Sequence, residues 1–236
     1  MSSVRFRYSA LRNYTRFIMK IFLDTADTQV IRNHFATGLI DGVTTNPTLI
    51  MKSGRKPDDV YQEIKDIGIK DISMEVVGTG FQMIEEGKRL FEKFGDVTTV
   101  KVPCTKEGLF ACKVLSEQGI RVNVTLIFSA AQAILSAKAG AEYVSPFIGR
   151  CDDNSVAGAE VVRSISGVYC QQGVRTKVLA ASIRDVYKVT RAFYNGAHVV
   201  TMPPEVFEKM YNHVLTDSGL AQFDKDWDEV KTLLRA

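Results

Sequence analysis

The sequence has few of the residues that build disulfide-linked or metal-held folds. Four cysteines in 236 residues are too few for a disulfide framework. They form no Cys-x-x-Cys pair, and the three histidines neither cluster nor show metal-site spacing. We therefore expect the reduced thiols of a cytoplasmic protein and no metal, with a structural zinc or a disulfide scaffold as disfavoured alternatives. The cysteines are Cys104, Cys112, Cys151 and Cys170.

Long apolar runs and nucleotide-binding loops are also missing. No uninterrupted apolar run approaches the ~20 residues that a membrane-spanning helix needs. No glycine-rich phosphate loop follows the first apolar run, so we expect no nucleotide and no other cofactor. With 45% apolar residues and 24% charged residues, the composition is that of one ordinary globular domain.

The chain beyond residue 18 has no strong net charge. The formal net charge is +3, and the four arginines of residues 1–18, which include no acid, supply +4. The rest of the chain is therefore near neutral at −1, which argues against a nucleic-acid-binding surface. We interpret residues 1–18 as a dispensable, disordered extension, or as sequence upstream of a true start at Met19, and residues 19–236 as one domain. A targeting or nucleic-acid-binding arm is the alternative.

Eight short apolar runs follow one another after Met19. Each is mostly apolar rather than strictly alternating, which is typical of parallel strands that are covered on both faces. Helix-length amphipathic segments separate the runs. The runs cover residues 21–24, 42–46, 72–77, 98–103, 122–128, 143–149, 178–182 and 199–202.

Regular punctuation marks the ends of the helical segments. Thr79 with Gln82, and Ser129 with Gln132, have the spacing of a capping box, and Pro57 and Pro203 suit a first helical turn. A glycine precedes each following strand, where a left-handed cap is needed. Eight uninterrupted βα units predict a (β/α)₈ barrel, with a doubly wound open sheet as the alternative. The capping glycines are Gly38, Gly68, Gly95, Gly119, Gly140, Gly173 and Gly196.

Polar residues stand at the carboxyl ends of seven of the eight runs, where such a barrel builds its active site. Each has an ordinary structural reading taken singly, as a helix cap, a turn residue or a satisfied hydroxyl. Their convergence at one end of the barrel favours a functional site. They are Asp24, Thr44, Thr45, Asn46, Glu75, Lys101, Asn123, Thr125, Ser145, Arg150, Ser182 and Arg184.

Lys101 is the sharpest candidate, because it lies inside the apolar run 98–103, where an unpaired ammonium is costly to bury. Burial favours the neutral amine, which attacks carbonyl carbons to form a Schiff base. Carboxylates nearby could move the protons that this chemistry needs. The alternative is a structural ion pair with Glu75 or Asp24. Arg184 indicates a phosphate site, with a solvated surface arginine as its alternative.

The motifs together resemble the transaldolase family, in its short single-barrel branch that also contains fructose 6-phosphate aldolases. The resemblance extends over residues 19–230, and residues 1–18 lie outside it. The segments that carry it are 22–27 (FLDTAD), 43–48 (VTTNPT), 100–108 (VKVPCTKEG), 123–132 (NVTLIFSAAQ), 145–150 (SPFIGR) and 180–184 (AASIR).

The resemblance implies a role for each matching residue. Lys101 would form the Schiff base, Asp24 would act as the general base, and Glu75 with Thr125 would hold a catalytic water. The remaining positions would bind a sugar phosphate, with the hydroxyls at one end and the phosphate at the other. The implied binding residues are Thr44, Asn46, Asn123, Ser145, Phe147, Arg150, Ser182 and Arg184.

Two positions separate the branches of this family. Glu75 stands where the aldolases typically carry Gln, and Phe147 where they typically carry Tyr, so the resemblance favours a transaldolase over a lyase that releases dihydroxyacetone. A phosphosugar-binding protein without turnover is a third, disfavoured reading.

The last segment predicts an additional amphipathic helix over residues 217–235. Its apolar residues recur at three- and four-residue steps, which gives one stripe. The stripe could cover its own barrel, but the resemblance implies a homo-oligomer, a pentamer or decamer, in which the helix packs on a neighbour. The stripe consists of Leu220, Phe223, Trp227, Val230 and Leu234.

Overall fold

The computed structural model describes residues 19–234 and contains a closed barrel of eight parallel strands. Each strand pairs with the next in sequence, and β1 closes the barrel by pairing with β8. The predicted (β/α)₈ architecture is confirmed, and the open-sheet alternative was wrong. The predicted N-terminal extension lies outside the described residues. The strands are β1 Lys20–Asp24, β2 Gly42–Thr44, β3 Ile72–Glu75, β4 Thr98–Pro103, β5 Arg121–Ile127, β6 Tyr143–Pro146, β7 Lys177–Ala180 and β8 Val199–Met202.

Helices connect the strands and surround the barrel. Three short helices, α2, α7 and α10, follow β2, β6 and β8 directly and lie next to the strand ends. The helices are α1 Thr28–Phe35, α2 Pro47–Ser53, α3 Pro57–Ile67, α4 Gly80–Phe94, α5 Lys106–Glu117, α6 Ala130–Lys138, α7 Ile148–Asp153, α8 Gly158–Gln172, α9 Val186–Tyr194, α10 Pro204–Lys209 and α11 Val214–Leu233.

Most of the predicted boundary signals are present in the structure, but Pro203 is the N-cap of α10, which begins at Pro204. All seven glycines predicted at helix ends have a positive φ, between 61° and 111°. Thr79 and Gln82 form a complete capping box at the start of α4, and Pro57 begins α3. Ser129 caps α6, but Gln132 accepts the N–H of Phe128 instead of completing a box.

Five strands, β2, β3, β5, β6 and β7, end earlier than the sequence pattern predicts, and for β2 and β6 the start of a helix explains the difference. The run 42–46 continues as strand only to Thr44, because the side chain of Asn46 caps α2 by accepting the N–H of Leu49 at 3.0 Å. The run 143–149 ends at Pro146, because α7 begins at Ile148. The residues that follow β2 and β6 are therefore held in place by the first turns of α2 and α7.

The interior of the barrel is filled by side chains that alternate with those facing the helices. Phe22, Tyr143, Leu179 and Val199 form a small apolar cluster inside the barrel, separate from the larger core under the helices. Gly42 makes room for the Phe22 ring, since a Cβ there would lie 2.6 Å from two of its carbons. The barrel is thus a packed core below the strand ends.

A polar cluster lies at the amino ends of the strands. The carboxylate of Asp71, just before β3, accepts hydrogen bonds from Thr99 Oγ1 at 2.7 Å, Arg121 Nη1 at 2.8 Å and Tyr143 OH at 2.8 Å. These donors come from β4, β5 and β6. The buried carboxylate is well satisfied and links four successive strands of the barrel.

Helix α11 extends beyond the eighth βα unit and begins three residues before the predicted start. None of its residues is buried, and the apolar stripe from Leu220 to Leu234 is 38–80% exposed. The stripe therefore does not cover its own barrel. No helix within residues 19–234 is long and apolar enough to cross a membrane.

Candidate active site

A cavity of about 120 Å³ opens at the carboxyl ends of the strands. Eight of the residues that the sequence singled out line it, and three others that it did not consider join them. A larger groove of about 840 Å³ lies outside the barrel between α6 and α8, away from all of these residues. The cavity is lined by Asp24, Thr44, Asn46, Lys101, Ser145, Phe147, Arg150, Leu179, Ala181, Ser182 and Thr201.

Lys101 is buried within β4 and reaches the bottom of this cavity. Its side chain is 7% exposed, and Nζ lies 2.9 Å from Oε2 of Glu75. Nζ also donates to the backbone carbonyl of Thr45 at 3.0 Å. The register explains the pair, because Glu75 on β3 is directly opposite Lys101. The amine is held in one position beside a group that can accept its proton.

Asp24 lies at the end of β1 and lines the same cavity as Lys101. Burial raises the pKa of its carboxyl, while the positive charge of Lys101 and a hydrogen bond from Thr44 oppose the rise. The hydroxyl of Thr44 donates to Oδ1 of Asp24 at 2.7 Å. A carboxylate whose ionised form is disfavoured by burial is suited to take up a proton.

Asn123 and Ser145 form a fixed polar wall beside Lys101. Asn123 on β5 is directly opposite Lys101, and its amide donates to Ser73 Oγ at 3.3 Å. Its carbonyl oxygen accepts from Ser145 Oγ at 2.7 Å. Both residues are buried, so these hydrogen bonds fix the orientation of the Asn123 amide and of the Ser145 hydroxyl.

Thr125 is a buried polar residue on the irregular part of β5. The pairing of β5 with β6 shifts register between Val124 and Ile127, and Leu126 has a φ of 59°. The Thr125 hydroxyl has no hydrogen-bond partner among the described residues. An unpaired buried hydroxyl costs about 1–3 kcal/mol, which favours a bound polar partner at this position.

The segments after β6 and β7 bring together Phe147, Arg150 and Ser182 in the same cavity. The Arg150 guanidinium lies 4.8 Å from the centre of the Phe147 ring. Gly149 allows α7 to touch the loop after β7, since a Cβ there would lie 2.3 Å from the carbonyl oxygen of Ser182. Ser182 itself has a left-handed φ of 58°. A cation and a hydroxyl on one rim are suited to bind an anion.

Arg184 is not brought into the cavity with the others. It is exposed, and both terminal nitrogens of its guanidinium donate to the carboxylate of Asp153 at the end of α7. Glu75, Asn123 and Thr125 also do not line the cavity, but Glu75 and Asn123 contact residues that do.

Three further residues line the cavity without having been predicted, namely Leu179 in β7, Ala181 directly after β7, and Thr201 in β8. No polar contribution was expected from the eighth strand, and this was wrong. Thr201 is the only hydroxyl-bearing residue of β8 (VVTM), so a hydroxyl within that otherwise apolar strand was the available signal.

Metal ligands are not grouped anywhere in the described part of the chain. No set of three or more His, Cys, Asp or Glu side chains within residues 19–234 is arranged to hold a metal ion.

The chain is similar to several known proteins. A family model described as Transaldolase/Fructose-6-phosphate aldolase matches residues 21–234. A protein named "Probable transaldolase" from Paracoccus denitrificans (strain Pd 1222) is 54% identical over 210 residues, which are 89% of this chain and 96% of the relative. The proteins of the same name from Caulobacter vibrioides (strain NA1000 / CB15N) and Nitrosopumilus maritimus (strain SCM1) are 52% and 50% identical, each over 96% of its own length and over 89% and 90% of this chain.

Among solved structures, a thiamine phosphate pyrophosphorylase from Pyrococcus furiosus is similar with a TM-score of 0.53 and 14% sequence identity. The similarity covers 78% of this chain and 85% of that chain. At this identity it supports the barrel fold alone.

Proposed function

The chain belongs to the transaldolase/fructose 6-phosphate aldolase family, and we propose that it is a transaldolase that transfers a dihydroxyacetone unit between sugar phosphates. The donor is a ketose phosphate, such as sedoheptulose 7-phosphate or fructose 6-phosphate, and the acceptor is an aldose phosphate. Among curated relatives, the shared name and about 50% identity over most of the chain support the transferase.

The observation that carries the proposal is the position of Lys101. Its amine lies 2.9 Å from the Glu75 carboxylate, and Asp24 lines the same cavity as Lys101. A buried amine near two carboxylates is the arrangement that a lysine nucleophile and its proton carriers need.

The proposed reaction begins when Lys101 Nζ attacks C2 of the ketose phosphate and water leaves, which forms a protonated imine. Asp24 then takes the proton of the C4 hydroxyl as the C3–C4 bond breaks. The electron pair of that bond passes into the imine, and an aldose phosphate leaves. The dihydroxyacetone unit stays on Lys101 until the acceptor aldehyde arrives and the steps reverse.

Glu75 and Thr125 are proposed to hold the water that carries protons during formation and hydrolysis of the imine. Glu75 already contacts the amine that gains and loses these protons. The buried hydroxyl of Thr125, which has no partner among residues 19–234, would be satisfied by that water. Thr125 would then only position the water, whereas Glu75 would contact both the water and the amine of Lys101.

The rest of the cavity suits the two ends of the substrate. Thr44, Asn46, Asn123 and Ser145 are proposed to bind the hydroxyls of the dihydroxyacetone unit near Lys101. Phe147 bounds this part, and Arg150 and Ser182 would bind the phosphate. Arg184 would join them by exchanging the Asp153 carboxylate for phosphate, both of which accept the same paired hydrogen bonds.

The test is a coupled assay with fructose 6-phosphate in the presence and absence of erythrose 4-phosphate. A transaldolase gives sustained sedoheptulose 7-phosphate only with the acceptor, and releases little dihydroxyacetone without it. Steady release of dihydroxyacetone at a rate that matches transfer would instead assign the second candidate, fructose 6-phosphate aldolase, which the family also contains.

We also propose that the chain works as a homo-oligomer in the cytoplasm. The exposed stripe of α11 carries five large apolar side chains, and such a patch is unusual on a monomer. A second copy of the chain is the proposed occupant, in a pentamer or decamer. Sedimentation of the whole chain and of a chain that ends at Thr216 tests this, and a monomeric full-length protein would contradict it. The cytoplasm suits a chain with only four cysteines, which are too few for a disulfide framework.

A further inference from the structure

The hydroxyls of two threonines connect β8 to the carboxylate of Asp24. Thr201 Oγ1 lies 2.6 Å from Thr44 Oγ1, and Thr44 Oγ1 lies 2.7 Å from Asp24 Oδ1. Thr44 and Thr201 come from the two strands that flank β1. Both threonines are buried, at 2% and 3% exposure.

The direction of these hydrogen bonds follows from the chemistry of the groups. An ionised carboxylate only accepts, so the single proton of the Thr44 hydroxyl must point to Asp24. The oxygen of Thr44 then remains as an acceptor towards Thr201. The hydroxyl of Thr201 must therefore donate, which gives a chain from Thr201 to Thr44 to Asp24.

We propose that Thr201 is a positioning residue that aligns the Thr44 hydroxyl with Asp24 and so sets the readiness of this carboxylate to accept a proton. The inference rests on the proposed function, in which Asp24 is the general base. Thr201 acts only through Thr44 and makes no bond to the reacting atoms.

A donor that is itself hydrogen-bonded donates more strongly, because the bonds polarise one another. The chain therefore stabilises the ionised form of Asp24 and opposes the effect of burial, which raises its pKa. The other charged groups around Asp24 are Lys101 from β4, which lowers its pKa, and Glu75 from β3, which raises it. Arg150 from α7 lines the same cavity.

The chain can also reverse once Asp24 has taken the proton from the substrate. The protonated carboxyl then donates to Thr44, and Thr44 donates to Thr201, so every hydroxyl keeps a partner in both states. The same three groups thus serve the carboxylate before and after proton transfer.

The test replaces Thr201 with valine, which keeps the branched shape and removes the hydroxyl. We expect kcat to fall roughly fivefold with little change in KM, and the acid limb of the kcat/KM profile to move up by about 0.5 to 1 pH unit. Thr201→Ser restores the hydroxyl and should return the limb to its wild-type position.

Thr176→Val is the matched control, because Thr176 is also buried and its hydroxyl donates to the Ala141 carbonyl at 2.8 Å, away from the cavity. It should lower the melting temperature without moving the acid limb. This separates loss of a buried hydrogen bond in general from loss of the bond to Thr44.

A measurement that needs no turnover keeps this inference separate from the proposed function. The carboxyl ¹³C signal of Asp24, identified by its loss in Asp24→Asn, is titrated in the folded wild type and in Thr201→Val. A higher pKa in Thr201→Val supports the positioning role, and an unchanged pKa overturns it. Full activity of Asp24→Asn would instead contradict the proposed function.

Discussion

The two ends of the barrel interior contain the same kinds of groups in different states. At the amino end, the Asp71 carboxylate accepts three hydrogen bonds, and Arg121 supplies both a charge and one of them. At the carboxyl end, Asp24 accepts one hydrogen bond and its pKa is raised by burial.

The difference lies in how fully the polar groups are satisfied. A carboxylate with three donors, one of them a cation, is fully satisfied, so it serves to hold strands together. A carboxylate with one donor among the described residues, near a lysine and with its pKa raised by burial, is ready to exchange protons with a substrate. The polar groups at the amino end of the barrel therefore stabilise the fold, and those at the carboxyl end are available for proton transfer.

The largest expected effect is the loss of turnover in Lys101→Arg. Guanidinium stays protonated and cannot form an imine, so kcat/KM should fall by roughly 10⁴-fold. Lys106→Arg, an exposed lysine at the start of α5, is the matched control and should keep wild-type kinetics. Substantial turnover by the Lys101 variant would show that the reaction does not pass through this amine.

The next effect in size belongs to Asp24. Asp24→Asn should lower kcat by about 10²-fold to 10³-fold, because the amide cannot take the proton. In the wild type, the raised pKa means that kcat/KM falls as the pH drops through a value above the usual one for aspartate.

Stability should change in the opposite sense in the same variant. Because the folded pKa of Asp24 is raised, its contribution to stability is present below the unfolded pKa and is lost as the pH rises through the folded pKa. The Asn variant lacks this loss, so its free energy of unfolding at pH 7, measured by urea denaturation, should equal or exceed that of the wild type. A less stable variant would mean that Asp24 is a structural group like Asp71.

Asp71→Asn should show the reverse pattern. Removal of the charge leaves Arg121 without its partner and weakens the bonds to Thr99 and Tyr143, so the free energy of unfolding should fall by about 2–4 kcal/mol. The turnover number of the folded protein should stay near that of the wild type. Asp59→Asn, on the exposed face of α3, should change stability by less than about 0.5 kcal/mol.

The smallest effect concerns the choice between transfer and cleavage. Glu75→Gln combined with Phe147→Tyr changes the hydrogen bonds offered to water near the imine, since Gln and Tyr can donate where ionised Glu and Phe cannot. The ratio of dihydroxyacetone release to transfer should rise roughly tenfold in the assay with fructose 6-phosphate. An unchanged ratio would mean that these two positions do not decide the reaction.

Most of the fold and the reactive end could be predicted from the sequence. Parallel strands that are buried on both faces appear in the sequence as short apolar runs, and glycine caps such as Gly68 mark the ends of the βα units. The barrel could therefore be predicted. Lys101 stood out because a charged residue within an apolar strand is rare and costly.

The remaining features depend on contacts between distant residues. The shift of register around Thr125 arises in the pairing of β5 with β6, and no local sequence pattern predicts this shift. Thr201 looks like an ordinary strand residue until its hydroxyl is seen to meet Thr44, 157 positions away in sequence. The network of Asp71 likewise joins four strands, and its polar residues appear separately along the chain.

Trapping of the imine tests the central claim most directly. The protein is incubated with fructose 6-phosphate, reduced with borohydride, digested, and its peptides are mapped by mass spectrometry. We expect a dihydroxyacetone adduct on the peptide that contains Lys101, and no adduct in Lys101→Arg. A stable adduct on any other lysine, or full activity with no adduct at all, would contradict it.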